Sequence, residues 1–76
     1  MPKLPVLSGS ELVKIFAKIG YELDHQTGSH LILRNRFPPH RRLTVPNHRE
    51  LAKGTLKAIL RQAGLALSDL LKLRGK

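Results

Sequence analysis

Tyr21-Glu22-Leu23-Asp24-His25-Gln26-Thr27-Gly28-Ser29-His30-Leu31-Ile32-Leu33-Arg34 contains two runs of strand type joined at a glycine. From Tyr21 to Gln26 the residues alternate. Tyr21, Leu23 and then His25 fall on one side, and Glu22, Asp24 and Gln26 on the other, the pattern of a half-buried strand. Thr27-Gly28 supplies a turn whose glycine accepts positive φ without steric cost. Ser29 to Arg34 forms the returning run, so an antiparallel hairpin is the economical arrangement.

Working outward from the hairpin, Ser8-Gly9-Ser10-Glu11 has the form of a capping box, with Ser8 as N-cap and Glu11 reaching back to the orphan amide. Leu12, Ile15, Phe16 and Ile19 then recur at helical spacing, and Gly20 ends that helix. On the other side, Asn35 to Arg41, with Pro38-Pro39, reads as an exposed loop. Leu43-Thr44-Val45 reads as a third strand, halted by Pro46, which has no N–H for a ladder. Lys53-Gly54-Thr55 opens a second helix with Thr55 as the expected N-cap. Leu56, Ile59, Leu60 and Ala63 form its apolar stripe and Gly64 its end. Ser68-Asp69 caps a last turn or two through Leu70, Leu71 and Leu73. The expected fold is α+β, in the order α-β-β-β-α: a three-stranded antiparallel sheet, two helices on one face and a short C-terminal helical extension. Residues 1–76 make one domain, with 1–7 and 74–76 expected to be flexible.

The chain has 76 residues, of which 41% are hydrophobic, enough for one modest core. Fourteen Lys and Arg stand against five Asp and Glu, a formal charge of +9 that should attract polyanions. There is no cysteine, which excludes disulfides and thiolate metal sites. No run reaches the length of a signal peptide or a membrane span, so the expected location is the cytoplasm.

If Leu31 and Leu33 face the core, alternation turns His30, Ile32 and Arg34 to the opposite face, together with Arg42 and Thr44 of the third strand. His30 is then solvent-accessible. Histidine exchanges protons near neutrality, which RNA cleavage requires: the 2′-hydroxyl loses a proton and the 5′-oxygen gains one. Arg34 or Arg42 can hold a phosphate, but arginine is too basic to be the second proton-transfer group. Gly28 and Ser29 support the turn, and no Asp-His arrangement makes Ser29 a nucleophile. His48 either binds phosphate or caps the segment that follows. Lys53, Lys57 and Arg61 recur along one side of the second helix, either as a phosphate-tracking edge or as a solvated face. The four histidines, His25, His30, His40 and His48, show no metal-ligand spacing, so no metal or other cofactor is expected. With one Tyr and two Phe, base stacking is not a major device.

Three stretches in this order carry a family resemblance: Gly28-Ser29-His30-Leu31-Ile32-Leu33, then Val45-Pro46-Asn47-His48, then Gly54-Thr55-Leu56-Lys57-Ala58-Ile59-Leu60-Arg61-Gln62-Ala63-Gly64-Leu65. Over about residues 8 to 70 the chain resembles the HicA toxin family. The resemblance implies a fold similar to the double-stranded RNA-binding domain. It further implies the toxin of a type II toxin-antitoxin pair, a metal-independent endoribonuclease that cleaves mRNA and arrests translation and growth. His30 would be its catalytic histidine, and a HicB-like antitoxin would mask it. The loop from Asn35 to Arg42 matches no motif of the family. Two rival readings remain: a non-catalytic RNA-binding module of the same topology, and a DNA-binding helix-turn-helix formed by the last two helices. The second rival would place Leu70, Leu71 and Leu73 where base reading needs polar side chains.

Overall fold

The computed structural model describes residues 4–75. Along the chain run α1 (Gly9–Ala17), β1 (Tyr21–Thr27), β2 (His30–Asn35), β3 (Arg42–Pro46), α2 (Lys53–Ala63) and α3 (Leu67–Arg74). The strands form one antiparallel sheet in the order β1-β2-β3. Both flanking helices lie against one of its faces, α1 over β1 and β3 and α2 over β3. This is the α+β arrangement expected from the sequence, with β2 held centrally between two partners.

The start of α1 has the predicted capping box. Ser8 Oγ accepts the Glu11 N–H at 3.1 Å, and Glu11 Oε1 accepts the Ser8 N–H at 2.9 Å, so two otherwise orphaned donors are satisfied. Leu12, Ile15 and Phe16 are buried beneath it, and Ile19 lies half-buried past the helix end. The chain leaves through Gly20 at φ 97°, a conformation in which a Cβ would be strained. The ring of Phe37 lies over this glycine, where a Cβ would come within 2.7 Å of its edge.

One continuous core gathers Leu12, Ile15 and Phe16 of α1, Tyr21 of β1, Leu31 and Leu33 of β2, and Leu43 and Val45 of β3 with Leu56, Ile59 and Leu60 of α2. The Phe16 and Tyr21 rings meet at 5.4 Å and a 59° tilt, a favourable edge-on geometry. Leu70 of α3 is wholly buried in the same core, and Lys18 Nζ donates to the Leu73 carbonyl at 2.6 Å. The expected C-terminal extension is therefore an integral third helix packed against α1. Leu7 is buried too, and its carbonyl accepts the Leu51 N–H at 2.8 Å, so the looseness expected of residues 1–7 does not reach it. Residues 1–3 and Lys76, also expected to be loose, lie outside the described residues.

Several local expectations are corrected. The hairpin turn is Gly28-Ser29, with Gly28 at φ 55° and Thr27 opposite His30, so β2 begins at His30. Thr55 is not the N-cap of α2. The helix starts at Lys53 with Ala52 as cap and no side-chain hydrogen bond, while buried Leu51 fixes the chain just before it. At α3 the N-cap is Ala66, whose N–H donates to Asp69 Oδ2 at 2.9 Å, so Asp69 caps from inside the helix and Ser68 does not cap.

The largest departure lies in β1. Leu23 pairs with Leu33 on the covered side of the sheet, yet it is 52% exposed, because only Tyr21 at the start of this edge strand is buried. Just after it the register slips: Leu23 faces Leu33 but His25 faces Ile32, leaving Asp24 as an extra residue. Such a bulge reverses the alternation beyond it. His25 therefore shares a face with Ile32, not with Tyr21 and Leu23.

Candidate active site

The face of the sheet turned away from the helices is assembled by strand register. His30 stands opposite Thr27 on β1 and Pro46 on β3; Ile32 opposite His25 and Thr44; Arg34 opposite Glu22 and Arg42. Residues facing each other across a ladder project to the same side. This face is therefore one continuous surface of His30, Ile32, Arg34, Thr44 and Arg42 with Glu22, His25 and Thr27. Leu31, Leu33, Leu43 and Val45, which alternate with them, are all buried. His30 is exposed, as the alternation predicted, and among the described residues its ring has no hydrogen-bonding partner.

The backbone around His30 is firmly held. It sits on the central strand, at the first position after the turn. The ladder to β3 continues past Pro46 through a 2.6 Å hydrogen bond from the Asn47 N–H to the Ser29 carbonyl. The next link joins this corner to α1: the Gly9 N–H donates to the His48 carbonyl at 2.9 Å, and a Cβ on Gly9 would collide with the Pro46 carbonyl. The backbone of His48 thus serves the start of α1, while its side chain is exposed at the His30 end of the sheet.

The predicted cationic residues divide into two sets. Arg34 and Arg42 face each other at the other end of the open surface, four positions along β2 from His30 (30 to 34), a separation of about 13 Å at the usual strand rise. They do not share an immediate neighbourhood with His30. Like charges directly opposed across a ladder repel, so the pair favours an anion between them, with Glu22 opposite Arg34 as a partial counterweight. Lys53, Lys57 and Arg61 are exposed along α2. Arg41 Nη1 donates to the Gln62 carbonyl at 3.1 Å, so the end of α2 lies beside the start of β3 and the helix runs antiparallel to it. Lys53 is consequently at the His30 end and Arg61 at the loop end.

Two further features were not legible in the sequence. The bulge leaves Asp24 and His25 side by side, with His25 Nδ1 2.8 Å from Asp24 Oδ2. The hydrogen bond from His25 holds the Asp24 carboxyl below the usual carboxylate range; desolvation opposes it, and the charges of His25, Arg42 and Arg34 add to the lowering. The proline-rich loop is also built, not loose. The Phe37 N–H donates to Asn35 Oδ1 at 2.9 Å, Asn35 Nδ2 donates to the Ile19 carbonyl at 3.3 Å, and the Arg36 N–H donates to the Gly20 carbonyl at 2.9 Å. Of the three aromatic residues, Phe16 and Tyr21 are buried and Phe37 is exposed, with Arg36 stacked 5.1 Å from its ring centre. Among the described residues no three His, Asp or Glu side chains cluster as a metal site, and no helix is long and apolar enough to cross a membrane.

With this geometry in place, comparison with known families is decisive. Residues 9–65 match the family described as the HicA toxin of bacterial toxin-antitoxin. The chain belongs to the HicA toxin family. A search of curated proteins gives no match. The family assignment makes this protein a toxin of a toxin-antitoxin system and implies an antitoxin partner. The matched span contains all three strands, both flanking helices and every predicted site residue, and it ends before α3. The helix-turn-helix reading loses its recognition helix, since Leu70 is in the core and Leu71 and Leu73 are half-buried.

Proposed function

We propose that this HicA toxin is a metal-independent endoribonuclease that cleaves mRNA in the cytoplasm, with His30 as the acid or base. The observation that carries the reading is the exposed His30 on the helix-free face of the sheet, held on the central strand. A group that moves protons at a substrate must be reachable and fixed, and a rigid strand supplies both. Gly28 and Ser29 form the turn that sets its position.

RNA is gripped mainly through its phosphates. Arg34 and Arg42 take a phosphate several positions from the cleaved one, while Lys53, Lys57, Arg61 and the His48 side chain extend the cationic path from the His30 corner along α2. The net charge of +9 supports this, and such contacts give salt-sensitive binding with little sequence preference. A HicB-like antitoxin restrains the toxin by covering His30 on the open face.

The test is induced expression of the wild type beside His30→Ala, with transcript integrity followed in cells and in purified reactions containing EDTA. Growth arrest and cut transcripts are expected from the wild type alone, with cleavage persisting in EDTA. Equal transcript loss from both proteins would show that His30 is not the catalytic group, and cleavage abolished by EDTA would overturn the metal-independent reading. Binding retained by both with no cleavage by either would leave a non-catalytic RNA-binding module.

A further inference from the structure

A single imidazole leaves RNA cleavage one proton-transfer group short, and the arginines on the open face are too basic to supply it. We infer that His25, oriented by Asp24, is the second catalytic residue of this site and protonates the leaving 5′-oxygen while His30 takes the proton of the 2′-hydroxyl. The inference rests on the ribonuclease reading of His30.

The bulge at Asp24 is the structural cause. Without it, strict alternation would point His25 to the covered side with Tyr21 and Leu23; with it, His25 pairs with Ile32 on the open face. His30 pairs with Thr27, so the two histidines occupy opposite corners of a four-residue patch made with Thr27 and Ile32. Such diagonal positions are separated by about 7–8 Å at the backbone, within mutual reach of long side chains. One phosphodiester seated over the patch meets an imidazole on either flank. That arrangement suits an in-line displacement, in which entering and departing oxygens lie on opposite sides of phosphorus.

The Asp24 contact fixes the chemistry of the ring. An ionised carboxylate can only accept, so Nδ1 of His25 carries the proton of the 2.8 Å hydrogen bond and Nε2 faces the substrate. Asp24 is thus a positioning residue. The charged and titratable groups that share this face with His25 are Glu22 and Asp24 on β1, His30 and Arg34 on β2, and Arg42 on β3. In the reaction the 2′-oxygen bonds to phosphorus as His30 removes its proton. The bond from phosphorus to the 5′-oxygen breaks as His25 delivers a proton to that oxygen. The products are a 2′,3′-cyclic phosphate and a 5′-hydroxyl end.

The test uses an RNA oligonucleotide whose cut position has been mapped with the wild-type protein, and the same oligonucleotide with sulfur replacing the 5′-bridging oxygen at that position. A thiolate leaves without being protonated. His25→Ala should cut the ordinary RNA about 10² to 10⁴-fold more slowly than the wild type, and the sulfur-containing RNA at close to the wild-type rate. His30→Ala should fail on both. Asp24→Asn should retain the fold and slow cleavage of the ordinary RNA more than that of the sulfur-containing RNA, a difference that a merely structural role would not produce. A His25→Ala protein that is fast on ordinary RNA, or equally slow on both RNAs, overturns the assignment of His25 while leaving His30 standing. Cleavage of both RNAs by His30→Ala overturns instead the reading on which it rests. His25 is exposed, and unchanged thermal melting of each variant separates chemistry from misfolding.

Discussion

His30 and Pro46 face each other across β2 and β3, and immediately beyond them the Asn47 N–H closes the ladder on the Ser29 carbonyl at 2.6 Å. The Asn47–Ser29 bond flanks the pair, so His30 and Pro46 exchange no hydrogen bond themselves, the proline's missing N–H costs this ladder nothing, and the Asn47 N–H makes the last bond that holds the strand end carrying His30. The turn residue Ser29 is thereby tied to β3 as well as to β1.

Replacing Asn47 by proline removes that donor. The expected loss of stability is about 1 kcal/mol, the usual net worth of one such bond, read as a lower urea midpoint, with RNA cleavage falling further than stability because His30 is released. Asn47→Ala keeps the backbone donor and should leave both near wild type.

Gly20 and Gly28 both have positive φ, but their surroundings differ, which predicts different costs for the same change. A Cβ at Gly28 meets open space, so Gly28→Ala should lose about 1–2 kcal/mol from the left-handed backbone alone. Gly20→Ala carries that strain and also drives into the Phe37 ring. It should destabilise more, and adding Phe37→Ala should recover part of the difference in a double-mutant cycle. Equal melting temperatures for the two alanine variants would contradict the packing of Phe37 on Gly20.

If α2 tracks phosphates, each of Lys53→Ala, Lys57→Ala and Arg61→Ala should weaken RNA binding and flatten its dependence on salt by about 0.7 in log-log slope per lost contact with a single strand. Melting should hardly change, since all three side chains are exposed. Binding curves at several salt concentrations check this, and an unchanged slope for all three variants would make α2 a solvated face.

Acid should loosen the fold through two carboxylates. The backbone N–H of Ser8 and then its hydroxyl hold Glu11 below the ordinary value of 4.5, and His25 holds Asp24 below 3.8. Both groups are therefore more acidic folded than unfolded. Their stabilisation is complete above those ordinary values and is lost as pH falls through the lower, folded ones. Urea unfolding followed from pH 6 downward should show a midpoint that begins to fall below about pH 5; Glu11→Gln should remove the Glu11 part of that dependence, while Ser8→Ala, which keeps the backbone donor, should remove only the share due to the hydroxyl.

Much of this architecture was legible because local signals and global fold agree. The Ser8-Glu11 capping box, the stripe Leu12, Ile15, Phe16, and the alternation from Leu31 to Val45 each name an element and its buried side, and His30 follows from its neighbours Leu31 and Leu33. The misses share a physical cause, namely tertiary placement that leaves no mark in composition. Asp24 and His25 look like ordinary alternating residues until a bulge shifts the register. Ala52 caps α2 without a polar side chain, since buried Leu51 and the β3 connection set where the helix starts. Arg41 reads as one cation among many, yet its guanidinium closes the C-terminal end of α2, where a positive charge meets the helix dipole.

The most direct measurement is single-turnover cleavage of one defined RNA by purified wild-type and His30→Ala proteins, with both melting curves recorded. The wild type should cut in EDTA and leave cyclic phosphate ends, and His30→Ala should melt at the same temperature, bind the RNA with similar affinity and cut at least about 10²-fold more slowly. Cleavage by His30→Ala at the wild-type rate would contradict the account.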